Sequence, residues 1–122
     1  MRESFIAAKI FLLFFFLLLN PFCSYSQNES LKFEHITTEH GLTQINVNCI
    51  KQSAQGFIWV GTRNGLNRYD GYKFLTFRND VNDNNSISNN AISDLAEDRD
   101  GNIWLSTQNG LNMYSRRTGN LF

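Results

Sequence analysis

The chain has 122 residues, with 11 Lys plus Arg balanced by 11 Asp plus Glu, two Cys, two His and two Trp. Zero formal charge removes any electrostatic reason to expect nucleic acid or anionic lipid as a partner. Residues 27–122 alone carry nine basic and ten acidic side chains, enough chain for one small domain.

The first element is apolar. Arg2 and Lys9 give a positive start, Ile10 to Leu19 is an unbroken apolar run, and the small residues Ser24 and Ser26 follow. Residues 1–26 therefore read as a secretory signal peptide cut after Ser26. An uncleaved membrane anchor is the rival reading, although the run is short of the ~20 residues a span needs and Lys9 blocks its extension. Bulky Phe22 and rigid Pro21 before Cys23 argue against a lipoprotein. Removal of the leader leaves Cys49 as the sole thiol and excludes a disulfide within the mature chain. Cys49 itself reads as a small apolar residue on a half-buried strand.

Residues 27–45 form a lead-in segment. Within it, "LKFEHI" (Leu31 to Ile36) resembles an outer strand, its Lys32-Phe33 matching the later Lys73-Phe74. His35 and His40 also fall here and are expected on the surface.

The rest is written twice. At an offset of forty-five residues, Val47–Tyr69 matches Ile92–Tyr114 at nine of 23 positions without a gap, including Trp59/Trp104, Gly65/Gly110 and Tyr69/Tyr114. A fixed period of this size marks a repeat architecture. Expected strands run from Val47 to Ser53, Phe57 to Thr62, Leu66 to Tyr69 and Tyr72 to Phe77. Those of the second copy are Ile92 to Glu97, Asn102 to Thr107, Leu111 to Tyr114, and a fourth reaching Phe122. Asn64-Gly65 and Asp70-Gly71 suggest type I′ hairpin turns, in which both central residues have positive φ. The pattern is a four-stranded antiparallel meander, repeated.

"FIWV" (Phe57 to Val60) does not alternate apolar with polar, and neither does "IWL" (Ile103 to Leu105). A strand apolar on both faces belongs to a sheet covered on both sides. Short meanders sandwiched in this way are the blades of an all-β propeller. The expected organisation is blade 1 over residues 46–78, an inter-blade linker over 79–90, and a truncated blade 2 over 91–122. Trp59, Trp104, Gly65, Gly110, Tyr69 and Tyr114 are its structural residues.

Propellers typically close with four to eight blades, so two leave outer faces bare. An aromatic side chain buries ~150–250 Å², worth roughly 4–6 kcal/mol at about 25 cal/mol per Å². Net domain stability is only about 5–15 kcal/mol. We therefore expect this chain to be the opening piece of a larger protein, with Leu31–Ile36 as the outer strand that closes the ring on its last blade.

"GFIWVGTRNGLNRYDGYKFLTF" and "DGNIWLSTQNGLNMY", with the lead-in "FEHITTEHGLTQINVNCI", resemble the two-component regulator propeller repeat. The likeness covers roughly Leu31 to Phe122. It departs in copy two, where Ser106 stands for Gly61 and Ser115-Arg116 for Asp70-Gly71. Membership would imply an exported, periplasmic sensor region of a hybrid sensor kinase held in the inner membrane, sensing oligosaccharides released from polysaccharides and controlling the genes that consume them.

Alternate connections of a meander share one end, so the Asn64-Gly65 and Asn109-Gly110 turns lie with the linker at the end that often faces ligand in propellers. Arg63 and Gln108 are the polar residues there that differ between copies, and they are the expected ligand contacts. The linker spacing Asp80, Asn82, Asn84 resembles a calcium loop, but Asn85 and Ala91 stand where Gly and Glu are needed, so it reads as a polar loop. We expect no metal, no cofactor and no catalytic constellation in this chain, and no membrane contact except through the leader or a parent's transmembrane helix. The competing readings are a fragment of an exported propeller lyase or glycosidase, and a blade protein that self-associates to supply the missing blades.

Overall fold

The computed structural model describes residues 2–18 and 30–122, in two units, Met1–Phe33 and Glu34–Phe122. In the first, α1 (Arg2–Leu18) takes up most of the apolar run and has no buried residue. Its 17 residues extend about 26 Å at 1.5 Å each. No described helix is long and apolar enough to cross a membrane. Cys23, Ser24 and Ser26, on which the cleavage reading rests, lie outside the described residues.

Residues 30–37 adopt no regular structure. No strand is therefore seen over Leu31–Ile36, and the blade it was expected to complete is not among the two present. A single 3-10 turn, Thr38–His40, follows. It is capped by Thr37, whose hydroxyl accepts from Glu39 N, and closed by Gly41 at φ 100. His40 is used locally, its Nδ1 accepting from Thr37 N at 3.1 Å.

The second unit holds both sheets. β1 (Val47–Gln52), β2 (Ile58–Thr62), β3 (Gly65–Tyr69) and β4 (Phe74–Phe77) pair in that order as an antiparallel meander. β5 (Ile92–Glu97), β6 (Ile103–Thr107) and β7 (Gly110–Tyr114) repeat it. The registers coincide at the forty-five-residue offset: Ile58 pairs with Tyr69 as Ile103 pairs with Tyr114. Each first strand is bulged at the same point, between Val47 and Cys49 and between Ile92 and Asp94. The fourth strand of copy two is begun, with Tyr114 bridging Leu121 and Met113 and Phe122 exchanging backbone bonds at 2.9 Å each.

The hairpin turns differ from the type I′ expectation, because no non-glycine residue among those described has positive φ. Thr62 pairs with Gly65, which makes Arg63 and Asn64 the central residues and leaves the positive φ to Gly65 (φ 122). The cause is a side-chain clamp that the sequence pattern alone does not display. Thr62 Oγ1 accepts from Asn64 N (3.0 Å) and donates to Gly65 O (2.9 Å). At the next turn Asp70 N donates to Lys73 O, so Gly71 and Tyr72 are central and only Gly71 has positive φ.

The core lies between the sheets. Trp59 on β2 packs against Tyr114 (4.8 Å between ring centroids) and Phe77 (6.0 Å), in one cluster with Ile92, Ile103 and Leu105 of blade 2. Arg68 on β3 joins the same face, its guanidinium 4.5 Å over the Phe57 ring and donating to the Tyr114 hydroxyl at 3.0 Å. The two-faced strands are borne out, since Ile103 and Leu105 point into this interface while Trp104 points away from it. Trp104 is 36% exposed, on the outer face that a stack of two blades was expected to leave bare.

Candidate functional site

The repeated T-x-N-G-L-N run builds one end of each blade. Asn67, fully buried, accepts from Thr43 N (3.1 Å) through Oδ1 and donates to Thr43 Oγ1 (2.8 Å) and Val60 O (3.2 Å) through Nδ2. Thr43 Oγ1 also meets Thr62 Oγ1 at 2.9 Å, and Asn64 Nδ2 donates to Thr43 O at 3.3 Å. Blade 2 repeats most of the set with Ser88, Asn112, Thr107 and Asn109, except that Ser88 Oγ donates to Asn112 Oδ1 (2.8 Å) and Asn112 Nδ2 turns to Phe122 O. In both, the loop before the first strand is tied to the turn between the second and third.

This tie holds the bulged strand starts beside the turns. Asn48, at the first bulge, donates to Ile92 O of the neighbouring blade (2.8 Å), and Gly65 N donates to Asn90 O (2.8 Å). Asn48 and Ser93 are the two bulge residues, and with Arg63, Gln108, Ala91 and Ile92 they line an open polar depression of about 300 Å³. Bulges concentrate beside sites because they re-aim a side chain. The structure therefore brings the two expected ligand contacts, Arg63 and Gln108, to one place and adds Asn48 and Ser93 to them.

Arg63 makes no hydrogen bond or ion pair with any described residue, so its five N–H donors face outward. The lining side chains offer amide, hydroxyl and guanidinium groups, which suit recognition of a polar ligand. Cys49 lies one residue along but turns to the blade interface, where burial, reinforced by Asp94, pushes its thiol up from the usual value.

The other sequence candidates lie elsewhere. In the linker, Asp80 accepts from Asn82 N and Asp83 from Asn85 N, both at 2.9 Å, so these carboxylates cap turns. Among the described residues no group of His, Cys, Asp or Glu is placed to hold a metal ion. Trp59 is sealed between the blades. Trp104 donates its indole N–H to Asp98 Oδ2 at 2.9 Å, and that bond, with those from Asn102, holds the Asp98 carboxyl down at about 2.

Sequence reasoning missed Thr43, Ser88, Asn48 and Ser93. A signal was present for the first two: extending the repeat backward aligns Leu42-Thr43 with Ile87-Ser88, an apolar residue followed by a hydroxyl. The bulges gave none, because residue types do not mark them.

The family model for the two component regulator propeller matches residues 41–64 and 86–109, two segments forty-five residues apart that carry Thr43, Thr62 and Asn64 of one clamp and Ser88, Thr107 and Asn109 of the other. Two segments of this chain thus match the repeat of that propeller family. It is similar to histidine kinase P4 of Formosa agariphila, at 44% identity over 63 residues, which is 52% of this chain and 5% of that protein. It also resembles the extracellular domain of the hybrid two component system BT3049 from B. thetaiotaomicron, with a TM-score of 0.67 and 32% identity over 73% of this chain and 13% of that one. The chain thus spans a small part of the length of each protein it matches.

Proposed function

We propose that this chain is part of the periplasmic, ligand-sensing propeller of a hybrid two-component sensor, in which ligand held at the ring face biases a histidine kinase across the inner membrane. The observation that carries this reading is the depression at the blade junction. Two repeats use closely similar clamps to present non-identical polar side chains, Asn48 and Arg63 from one and Ser93 and Gln108 from the other. A rigid frame with variable tips is what a recognition surface requires. The likeness to an extracellular sensor domain and to a histidine kinase supports the same assignment.

The ligand class we assign is an oligosaccharide, whose hydroxyls match amide and guanidinium donors, and the regulated genes would be those for polysaccharide use. The chain's part is binding, not catalysis. Calorimetric titration of the full-length sensor with an oligosaccharide panel tests it. Arg63→Ala with Gln108→Ala is expected to weaken binding of the cognate sugar about tenfold or more, as loss of one or two hydrogen bonds to a charged group would, without shifting the melting temperature. A sensor that binds a sugar with the double variant unaffected, or binds none of the panel, contradicts the proposal.

A further inference from the structure

The depression at the junction of blades 1 and 2 carries a positive charge with no acid beside it. Arg63 is the charged residue among those that line it, and the other five are Asn48, Ala91, Ile92, Ser93 and Gln108. Its walls come from two blades that are both present. The turn that bears Arg63 is held firmly. Thr62 Oγ1 clamps it from within, Gly65 N donates to Asn90 O, and Arg78 Nε donates to Asn64 O at 3.2 Å.

The three arginines of blade 1 therefore differ in use. Arg68 is spent on the Tyr114 hydroxyl and the Phe57 ring, Arg78 braces the turn, and the Arg63 guanidinium has no partner among the described residues. Acids close in sequence to the lining have other tasks. Asp94, which follows Ser93, stands across from Ser106 and accepts from Leu95 N at 2.8 Å, while Asp80 and Asp83 cap turns of the linker. The uncharged groups around the guanidinium have capacity to spare. Ser93 and Gln108 make no side-chain hydrogen bond with any described residue, and Asn48 uses only its amide nitrogen, on Ile92 O.

We propose, on the reading of this depression as the ligand site, that its ligand is an acidic oligosaccharide. An ionised carboxylate or sulfate group sits on Arg63, and neighbouring hydroxyls bond to Asn48, Ser93 and Gln108. The planar guanidinium fork meets two oxygens of one such group with parallel hydrogen bonds. A charge-assisted bond of this kind is about twice as strong as one between neutral groups. A neutral sugar would instead displace water from the guanidinium without supplying a counter-charge, which costs affinity.

Calorimetric titration of the full-length sensor with matched pairs is the test. The pairs are glucuronate and galacturonate oligosaccharides against their carboxyl-reduced counterparts, and sulfated galactose oligosaccharides against the desulfated ones. One acidic member is expected to bind about tenfold or more tightly than its neutral partner, and the pair that does so separates carboxylate from sulfate. Arg63→Gln is expected to remove that preference, and Arg63→Lys, which keeps the charge but not the fork, to retain part of it. Gln108→Ala is expected to weaken both members of the pair alike. If Gln108→Ala weakens binding but the wild type shows no preference for the acidic member, or Arg63→Gln weakens both members equally, the inference is overturned while the depression stands as the ligand site. Binding indifferent to both substitutions, or no binding of any pair, overturns the ligand site itself and this inference with it.

Discussion

Trp59 and Trp104 occupy the same position of the same strand in two copies of one unit, yet Trp59 is 2% exposed and Trp104 36%. The difference lies in what stands on each. Blade 2 covers Trp59, while the face that bears Trp104 is open. Their indole N–H groups show the same contrast in reverse. That of Trp59 is buried without a partner, whereas that of Trp104 reaches Asp98. Copy one has Ser53 where copy two has Asp98, and the Ser53 hydroxyl is spent on Phe57 O. The covered tryptophan forgoes a hydrogen bond, a loss of about 1–3 kcal/mol, and its aromatic contacts outweigh it.

The comparison breaks most visibly on truncation. Trp59→Ala is expected to destabilise by about 3–5 kcal/mol, enough to unfold a two-blade unit. Trp104→Ala should cost about 1 kcal/mol, the typical effect of a partly exposed substitution. Urea denaturation of the two variants side by side gives the ratio.

Gly61 and Ser106 sharpen it further. A Cβ at Gly61 would run into Cys49 Sγ and lie 2.7 Å from Ile92 Cγ2 on the facing blade, so Gly61→Ala is expected to cost about 1–3 kcal/mol through overpacking. Ser106, its counterpart, stands on the open face beside Trp104, and Ser106→Gly should change stability by about 1 kcal/mol at most, the backbone cost of a strand glycine. A comparable loss is expected for Asn67→Ala, about 1–3 kcal/mol, since it strands the Thr43 N–H it accepts from. Denaturation midpoints check all three.

The smallest effect is electrostatic. Asp98 has a folded-state value of about 2 against an unfolded carboxylate near ~3.9. Its contribution is therefore complete above about pH 4 and lost as pH falls toward 2. Asp98→Asn should flatten that part of the stability profile slightly. Ser53→Asn, at the matching position of blade 1, should leave its pH dependence unchanged.

Most of the fold was legible because a repeat states its own boundaries. The repeat at one offset, read with its turn signals, called for eight strands; the seven observed lie within two residues of those bounds and the eighth is begun, while the unbroken apolar pattern of "FIWV" and "IWL" identified sheets apolar on both faces. The turns were misread because "Asn-Gly" specifies a type I′ hairpin only when no neighbour competes, and the Thr62 hydroxyl does compete. A bare outer tryptophan face followed from the count of two blades, but which tryptophan bears it did not, since burial needs a neighbour that one strand's sequence does not contain. The site was half legible. Arg63 and Gln108 stood out as the differing residues between identical turns, but Asn48 and Ser93 reach the same depression only through backbone bulges.

The packing of blade 1 on blade 2 is tested most directly by acrylamide quenching of single-tryptophan chains. With Trp104→Phe, the remaining Trp59 is expected to emit at short wavelength and resist the quencher; with Trp59→Phe, the remaining Trp104 is expected to be quenched several-fold faster. Equal quenching of the two would show that the blades do not cover one another.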